Sequence, residues 1–321
     1  MNKIYIYGIG ICFLALSITA YAANQPAATA VPSAPAAPVS EPAPALVPPM
    51  AEAGNVHGAY NFGDYRSSTL TTKAWEALAD KDLDGVLAYT NKCISFYSAQ
   101  AAKMQSGLKA YPAGNDQNIF SYWALNDVAT SLYIQGEAYR RAKHMDEAKA
   151  AFNRIINEFS YGQTYDVNSK TFWKPVDGAQ DSLYMIAHNL DLDYGNMTSS
   201  FIVKQMWQAL NNKNLDEVIA YDMKLEHLYH QQALDMQKSL KDYPAGSNDQ
   251  IFKYWALNDL GTGMFILGEA YQMSNKNADA LNAYKKVLSD YSYAQCWDPQ
   301  GWFWKPSDAA QQKMAELQAA K

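Results

Sequence analysis

The chain has 321 residues, with 26 Lys and Arg against 32 Asp and Glu, a net charge of −6 and 49% hydrophobic residues. Charge of this sign, spread along the whole chain, excludes the basic stripe that nucleic-acid binding requires. It implies ordinary solubility and specifies no partner.

Residues 1–22 read as an export signal. Lys3 supplies a minimal positive start, Ile4 to Ala20 is an apolar run broken only by Gly, Ser, Thr and Tyr, and Ala20-Tyr21-Ala22 is a small-x-small cleavage site. The alternative is an uncleaved anchor, for which the run is slightly short. Export would place the mature chain in the periplasm or outside the cell, with no later segment apolar enough to cross a bilayer. Residues 23–64 form a Pro/Ala-rich linker: eight of the thirteen prolines fall between Pro26 and Pro49. Such a stretch buries too little apolar surface to fold and tends toward an extended path. It serves either as a tether or as a passive spacer.

The rest of the chain says nearly the same thing twice. Residues 74–166 align without a gap onto 206–298 at an offset of 132, and 41 of the 93 pairs are identical. Tyr111-Pro112-Ala113-Gly114 returns as Tyr243-Pro244-Ala245-Gly246, and Tyr122-Trp123-Ala124-Leu125-Asn126-Asp127 as Tyr254-Trp255-Ala256-Leu257-Asn258-Asp259. Past a one-residue slip, Phe172-Trp173-Lys174-Pro175 returns as Phe303-Trp304-Lys305-Pro306. Each copy is therefore one structural unit, the first at 65–190 and the second at 198–321.

The periodicity predicts helices throughout and no strands. In the first copy, Thr71 to Ala79 makes a short helix, and Leu83 to about Ala110 a long one striped with Val86, Leu87, Ile94, Tyr97, Ala101, Met104 and Leu108. The Tyr-Pro-Ala-Gly turn ends it. A third helix covers about Ile119 to Ala142, and a fourth Asp146 to about Phe159. After an aromatic loop, Asp177 to Leu190 closes the unit. The second copy repeats the plan and ends in a helix over Asp308 to Ala320.

The third and fourth helices of each copy resemble a tetratricopeptide repeat, a 34-residue helical hairpin. Gly136, Tyr139, Ala148 and Phe152 occupy its signature positions in one copy, and Gly268, Tyr271, Ala280 and Tyr284 in the other. The first hairpin is a degenerate version, with Trp75, Leu78, Leu83, Ala88 and Tyr89 in place. Ser160 and Ser292 stand where such a repeat usually closes on proline. The resemblance implies an all-α, solenoid-like fold and a binding role, with the first helix of each hairpin lining a groove that receives a peptide. Carried over by the pattern, the groove positions are Thr130, Tyr133, Glu137, Arg140 and Arg141, then Thr262, Phe265, Glu269, Gln272 and Met273.

Polar residues kept in both copies are harder to explain by a shared core than apolar ones. On the third helix these are Asn126, Asp127, Thr130 and Glu137, with Asn258, Asp259, Thr262 and Glu269. They contact a ligand, or they satisfy backbone groups of the nearby turn. The aromatic loops, with Trp173 in one copy and Trp302 and Trp304 in the other, either stack on sugar rings or peptide side chains or simply cap the helices. Trp302 has no aromatic counterpart in the first copy. His227 and His230 stand three apart on a helix, but Ser95 and Ser98 replace them in the first copy, and no metal set or cofactor motif is assigned. Cys93 and Cys296 face Leu225 and Thr164 in the alignment, so no repeated cross-link exists, though a disulfide between the two stays open. No nucleophile elbow, His-Glu-x-x-His or phosphate-cradling loop occurs.

The expectation is an exported scaffold or adaptor without catalysis, binding a peptide segment or protein partner in the cell envelope. The alternative is a periplasmic module that binds envelope polysaccharide or peptidoglycan through its aromatic loops.

Overall fold

A computed structural model describes residues 60–166, 170–298 and 300–319. The expected export signal and the prolines of the linker lie outside the described residues. The last linker positions do not behave as linker: Phe62 packs on the first core, and the Gly63 N–H donates to Asn61 Oδ1 at 2.9 Å.

The first unit runs α1 (Ser67–Ala79), α2 (Leu83–Ser106), α3 (Asp116–Phe120), α4 (Trp123–Arg141), α5 (Met145–Glu158), β1 (Thr164–Asp166), β2 (Thr171–Trp173) and α6 (Pro175–Ala187). The second repeats this order as α7 (Ser199–Asn211), α8 (Leu215–Ser239), α9 (Asn248–Phe252), α10 (Trp255–Met273), α11 (Asn277–Asp290), β3 (Cys296–Asp298), β4 (Trp302–Trp304) and α12 (Pro306–Ala319). The fold is all-α, a helical-repeat solenoid of two homologous units. None of the described helices is long and apolar enough to cross a membrane.

The long second helix stops at Ser106, short of the Tyr-Pro-Ala-Gly turn expected to end it, and two further details differ from the sequence expectation. The aromatic loops are antiparallel hairpins, pairing Tyr165 with Phe172 and Trp297 with Phe303. Three-residue strands are too short to show an alternating pattern in sequence. The third helix is also split. Asn115 caps α3 by accepting the Asn118 N–H, and α4 starts afresh at Trp123 because the Asn126 side chain takes the Ile119 carbonyl at 2.9 Å.

Helix starts follow from local chemistry. The Asp82 side chain accepts the Gly85 N–H at the head of α2, and Asn214 accepts the Glu217 N–H at the head of α8. This is why a carboxylate exchanges for an amide between copies without loss. Lys81 and Lys213, just before these caps, both adopt the left-handed conformation that the tight turn demands.

α4 is the centre of the first unit, packed on α1, α2, α5 and α6. Leu125, Val128, Ala129 and Leu132 on it meet Leu70, Cys93, Phe152 and Ile155 in one core. α10 has the same place in the second unit, with Leu257, Leu260 and Met264 against Ile202, Leu225, Tyr284 and Val287. The α4–α5 approach is close enough that a Cβ on Gly136 would lie 2.5 Å from the Phe152 ring. Gly268 meets the Tyr284 ring in the same way. Replacing Gly136 with Ala therefore forces the two helices apart, and an urea-unfolding series is expected to show a loss of about 1–3 kcal/mol. Pairing that change with Phe152→Leu should restore part of the loss; a Gly136→Ala chain as stable as the parent would contradict the packing.

Candidate functional site

The polar residues shared by the two copies hold the chain to itself. Asn126 works at both ends of its amide: Nδ2 donates to the Ile119 carbonyl, and Oδ1 accepts the Gln163 N–H at 2.9 Å. The Gln163 amide then donates to the Pro112 carbonyl of the Tyr-Pro-Ala-Gly turn. Asn258, Ile251, Gln295 and Pro244 repeat the arrangement atom for atom. Ser67 and Ser199 donate to Asp127 and Asp259, pinning the first helix of each unit to its central one. Gln105 and Gln237 each bridge a serine hydroxyl, Ser160 or Ser292, and the next backbone N–H. Buried backbone groups between helices need partners, and these side chains provide them.

The expected groove is filled by the chain's own hairpin and closing helix. Thr130 is 2% exposed; its hydroxyl donates to the Asn126 carbonyl and lies 2.5 Å from the Thr164 hydroxyl of β1. Tyr133 sits among the rings of Trp75, Phe152 and Trp173, with the Trp173 centroid 4.9 Å away. Glu137 is 5% exposed, paired with Arg140 at 2.9 Å and accepting the Ser182 hydroxyl of α6 at 2.8 Å. The second copy follows suit. Thr262 is 1% exposed and donates to the Asn258 carbonyl. Phe265 packs on Trp304 and Tyr284, and Glu269 accepts from the Tyr284 hydroxyl and from Lys313 of α12. Thr130, Glu137, Thr262 and Phe265 are thus buried, and Tyr133 is mostly covered. Of the ten mapped positions, Arg141 and Met273 are the exposed ones.

Burial raises the proton affinity of Glu137, but the hydrogen bonds and charge of Arg140 more than offset it and hold the carboxyl below its usual range. A depressed carboxyl stabilises the fold above its unfolded pKa and loses that contribution as pH falls.

The hairpins divide by copy. Trp173 and Trp304 are packed inward, whereas Trp302 is 52% exposed and Trp297 38%. Trp297 and Phe303 lie 4.9 Å apart with Phe252 beneath them. Phe120, Tyr165 and Phe172 make the equivalent stack in the first copy, where Thr171 stands opposite Asp166, as Trp302 stands opposite Asp298.

Residues that differ between copies converge where the units meet. α6 leaves the first unit and packs on α8 of the second. Asp181, 3% exposed, has the Lys224 ammonium 2.5 Å from Oδ2 and His227 Nδ1 2.8 Å from Oδ1. Tyr184 donates to Asp216 Oδ1, and His188 Nδ1 lies 3.1 Å from Asp216 Oδ2. Tyr194 bonds the Met185 sulfur and lies under the Lys224 ammonium. His230 turns away to the Tyr291 hydroxyl, so the histidine pair has two separate partners. Sequence comparison between copies points away from His227 because Ser95 replaces it. Cys93 and Cys296 are not joined in a disulfide, the first lying in the core of unit one and the second on β3.

Beside the junction, Asp222 is buried, with Oδ1 lacking a hydrogen-bond partner among the described residues. Burial, and then the neighbouring Glu226 charge, push its carboxyl up to about 8, against the opposing pull of Lys286 and His227. In the first copy Thr90 stands here and receives the Gln135 amide. The second copy has Leu267 in place of that glutamine, and leucine cannot donate.

The architecture and this distribution of polar groups define a helical-repeat protein whose two units are each closed by their own hairpin and final helix. Residues 130–160 and 263–292 match the family model described as tetratricopeptide repeat. The chain therefore contains two tetratricopeptide repeats, one in α4–α5 and one in α10–α11. No curated protein and no solved structure matches the chain.

Two outcomes follow for stability. Glu137→Ala leaves Arg140 and Ser182 without their acceptor and is expected to cost about 2–4 kcal/mol in denaturant unfolding. The pH dependence has a definite sign at the junction. His227 is lowered by burial but raised more by the Asp181 hydrogen bond and charge, and Asp222 is raised. Both contributions are fully present below the unfolded pKa values, about 6.5 and 4, and are lost as pH rises through the folded ones. The melting temperature should fall between pH 6 and 9, and Asp222→Asn or Leu267→Gln should flatten that fall; an unchanged slope in both variants would contradict a buried, protonated Asp222.

Proposed function

We propose that the chain is a non-catalytic scaffold or adaptor, exported to the cell envelope, that holds a protein partner. The observation that carries this reading is the pair of tetratricopeptide repeats, since such repeats generally mediate protein–protein interaction. The kept polar residues agree with it, because they serve packing and backbone satisfaction. A partner would sit on surfaces the chain leaves open. Among the described residues the exposed large apolar side chains are Tyr65, Phe96, Met273, Trp297 and Trp302, of which Met273 alone stands at a mapped groove position.

The full chain should fractionate with the periplasm or the medium, and cross-linked capture from that fraction should enrich one defined partner over a charge-matched control. Recovery in the cytosol would overturn the location, and an enrichment profile identical to the control would overturn the scaffold reading.

A second reading rests on Trp302. An indole 52% exposed on a short hairpin, beside exposed Trp297, is the kind of platform on which a sugar ring stacks. Under this reading, oligosaccharides from envelope polysaccharide or peptidoglycan quench tryptophan fluorescence, and Trp302→Ala removes the response. A flat signal across the panel eliminates it.

A further inference from the structure

The two units present the same face to different surroundings. In the second unit the face formed by Tyr194 and α8 receives helix α6: Lys224 lies 5.1 Å over the Tyr194 ring and binds Asp181, while Asp216 accepts from Tyr184 and lies 3.1 Å from His188 Nδ1. In the first unit the corresponding residues are Phe62, Lys92 and Asp84. Lys92 holds the same pose, 5.0 Å over the Phe62 ring, and the preceding turn is the same, with Tyr97 and Tyr229 each donating to the backbone carbonyl of Tyr65 or Met197. Covering follows the difference. Asp84, Asn91, Ser95 and Phe96 are exposed, whereas Asp216, Met223, His227 and Leu228 are partly covered. Phe96 is 42% exposed and stacks with Tyr65, which is equally exposed.

We propose that this face of the first unit is an open socket for a helix of a partner protein, one bearing a carboxylate and, a turn later, an apolar anchor such as methionine. The inference rests on the scaffold reading above and names the surface and chemistry of its partner. The template is α6 itself, whose Asp181 and Met185 make the equivalent contacts within the chain. The partner's carboxylate would reach Lys92, and its apolar anchor would cover Phe62. A second copy of this chain is a poorer occupant. Helix α12, the counterpart of α6, carries exposed Gln312 and Glu316 where α6 has buried Asp181 and Met185. It lacks both the carboxylate at the required place and the anchor.

The test uses the full chain and a labelled peptide copying residues 174–190, cross-linked between the exposed positions 180 and 187 so that it is helical in isolation. The unit-two socket is already filled by α6, so the peptide should bind at the unit-one face. Lys92→Glu should weaken binding by at least about tenfold, and Phe96→Ser should weaken it as well. A peptide with Lys at the Asp181 position should fail on the parent chain and recover on Lys92→Glu, a reversal that lost folding cannot produce. Failure of the helical peptide to bind overturns the proposal. So does binding abolished by Lys224→Glu but not by Lys92→Glu, which would mean exchange at the occupied junction. Self-association of the chain by sedimentation that disappears in Lys92→Glu overturns the choice of partner in favour of a second copy. An envelope partner captured equally by parent and Lys92→Glu chains removes this socket while leaving the scaffold reading in place; capture of no partner removes the scaffold reading and leaves the peptide result to stand by itself.

Discussion

The structure depends on one close approach, made twice. α4 and α5 meet where Gly136 has no side chain and the Phe152 ring fills the space, and α10 and α11 meet through Gly268 and Tyr284. Interiors are packed to crystal-like density, so a single added carbon at such a point displaces a whole helix. With those hairpins fixed, the central helix of each unit is surrounded: first helix and long second helix on one side, hairpin and closing helix on the other.

That enclosure alters the meaning of the conserved-looking polar set. A tetratricopeptide hairpin leaves a concave helix face, and in this chain the face is covered from within. Glu137 ties α4 to α6 through Ser182, and Glu269 ties α10 to α12 through Lys313. A glutamate kept in both copies is thus kept for a closing contact made in both copies, although its partners differ. Asn126 and Asn258 each bond two backbone groups, the carbonyl at the break before the central helix and the N–H of Gln163 or Gln295 before the hairpin, and a hydrophobic residue there would leave that N–H without this acceptor.

Comparison of the two copies separates two kinds of residue. Those that recur build a unit. Those that do not recur, Asp181, His227, His188 and Met185, join one unit to the next, meeting Lys224 and Asp216, which recur as Lys92 and Asp84. A filter that retains only repeated residues therefore discards most of the junction and the features in which the two units differ, including Phe96 and the polar outer side of α12.

The sequence by itself determined the duplication, the helical class, the order of the helices and the glycine and ring positions of the repeat, since each rests on local periodicity or on a turn residue with one permitted geometry. It mistook the short hairpins for loops, because three residues carry no period, and it left the boundary of the third helix unbroken, because the bond that breaks it comes from Asn126, seven residues beyond Ile119. Only the tertiary structure decided whether the predicted groove was open. Coverage of Thr130, Tyr133 and Glu137 comes from Thr164, Trp173 and Ser182, residues some 30 to 45 positions away. Exposure is a property of what else reaches a surface, and neither helical periodicity nor spacing along the chain encodes it.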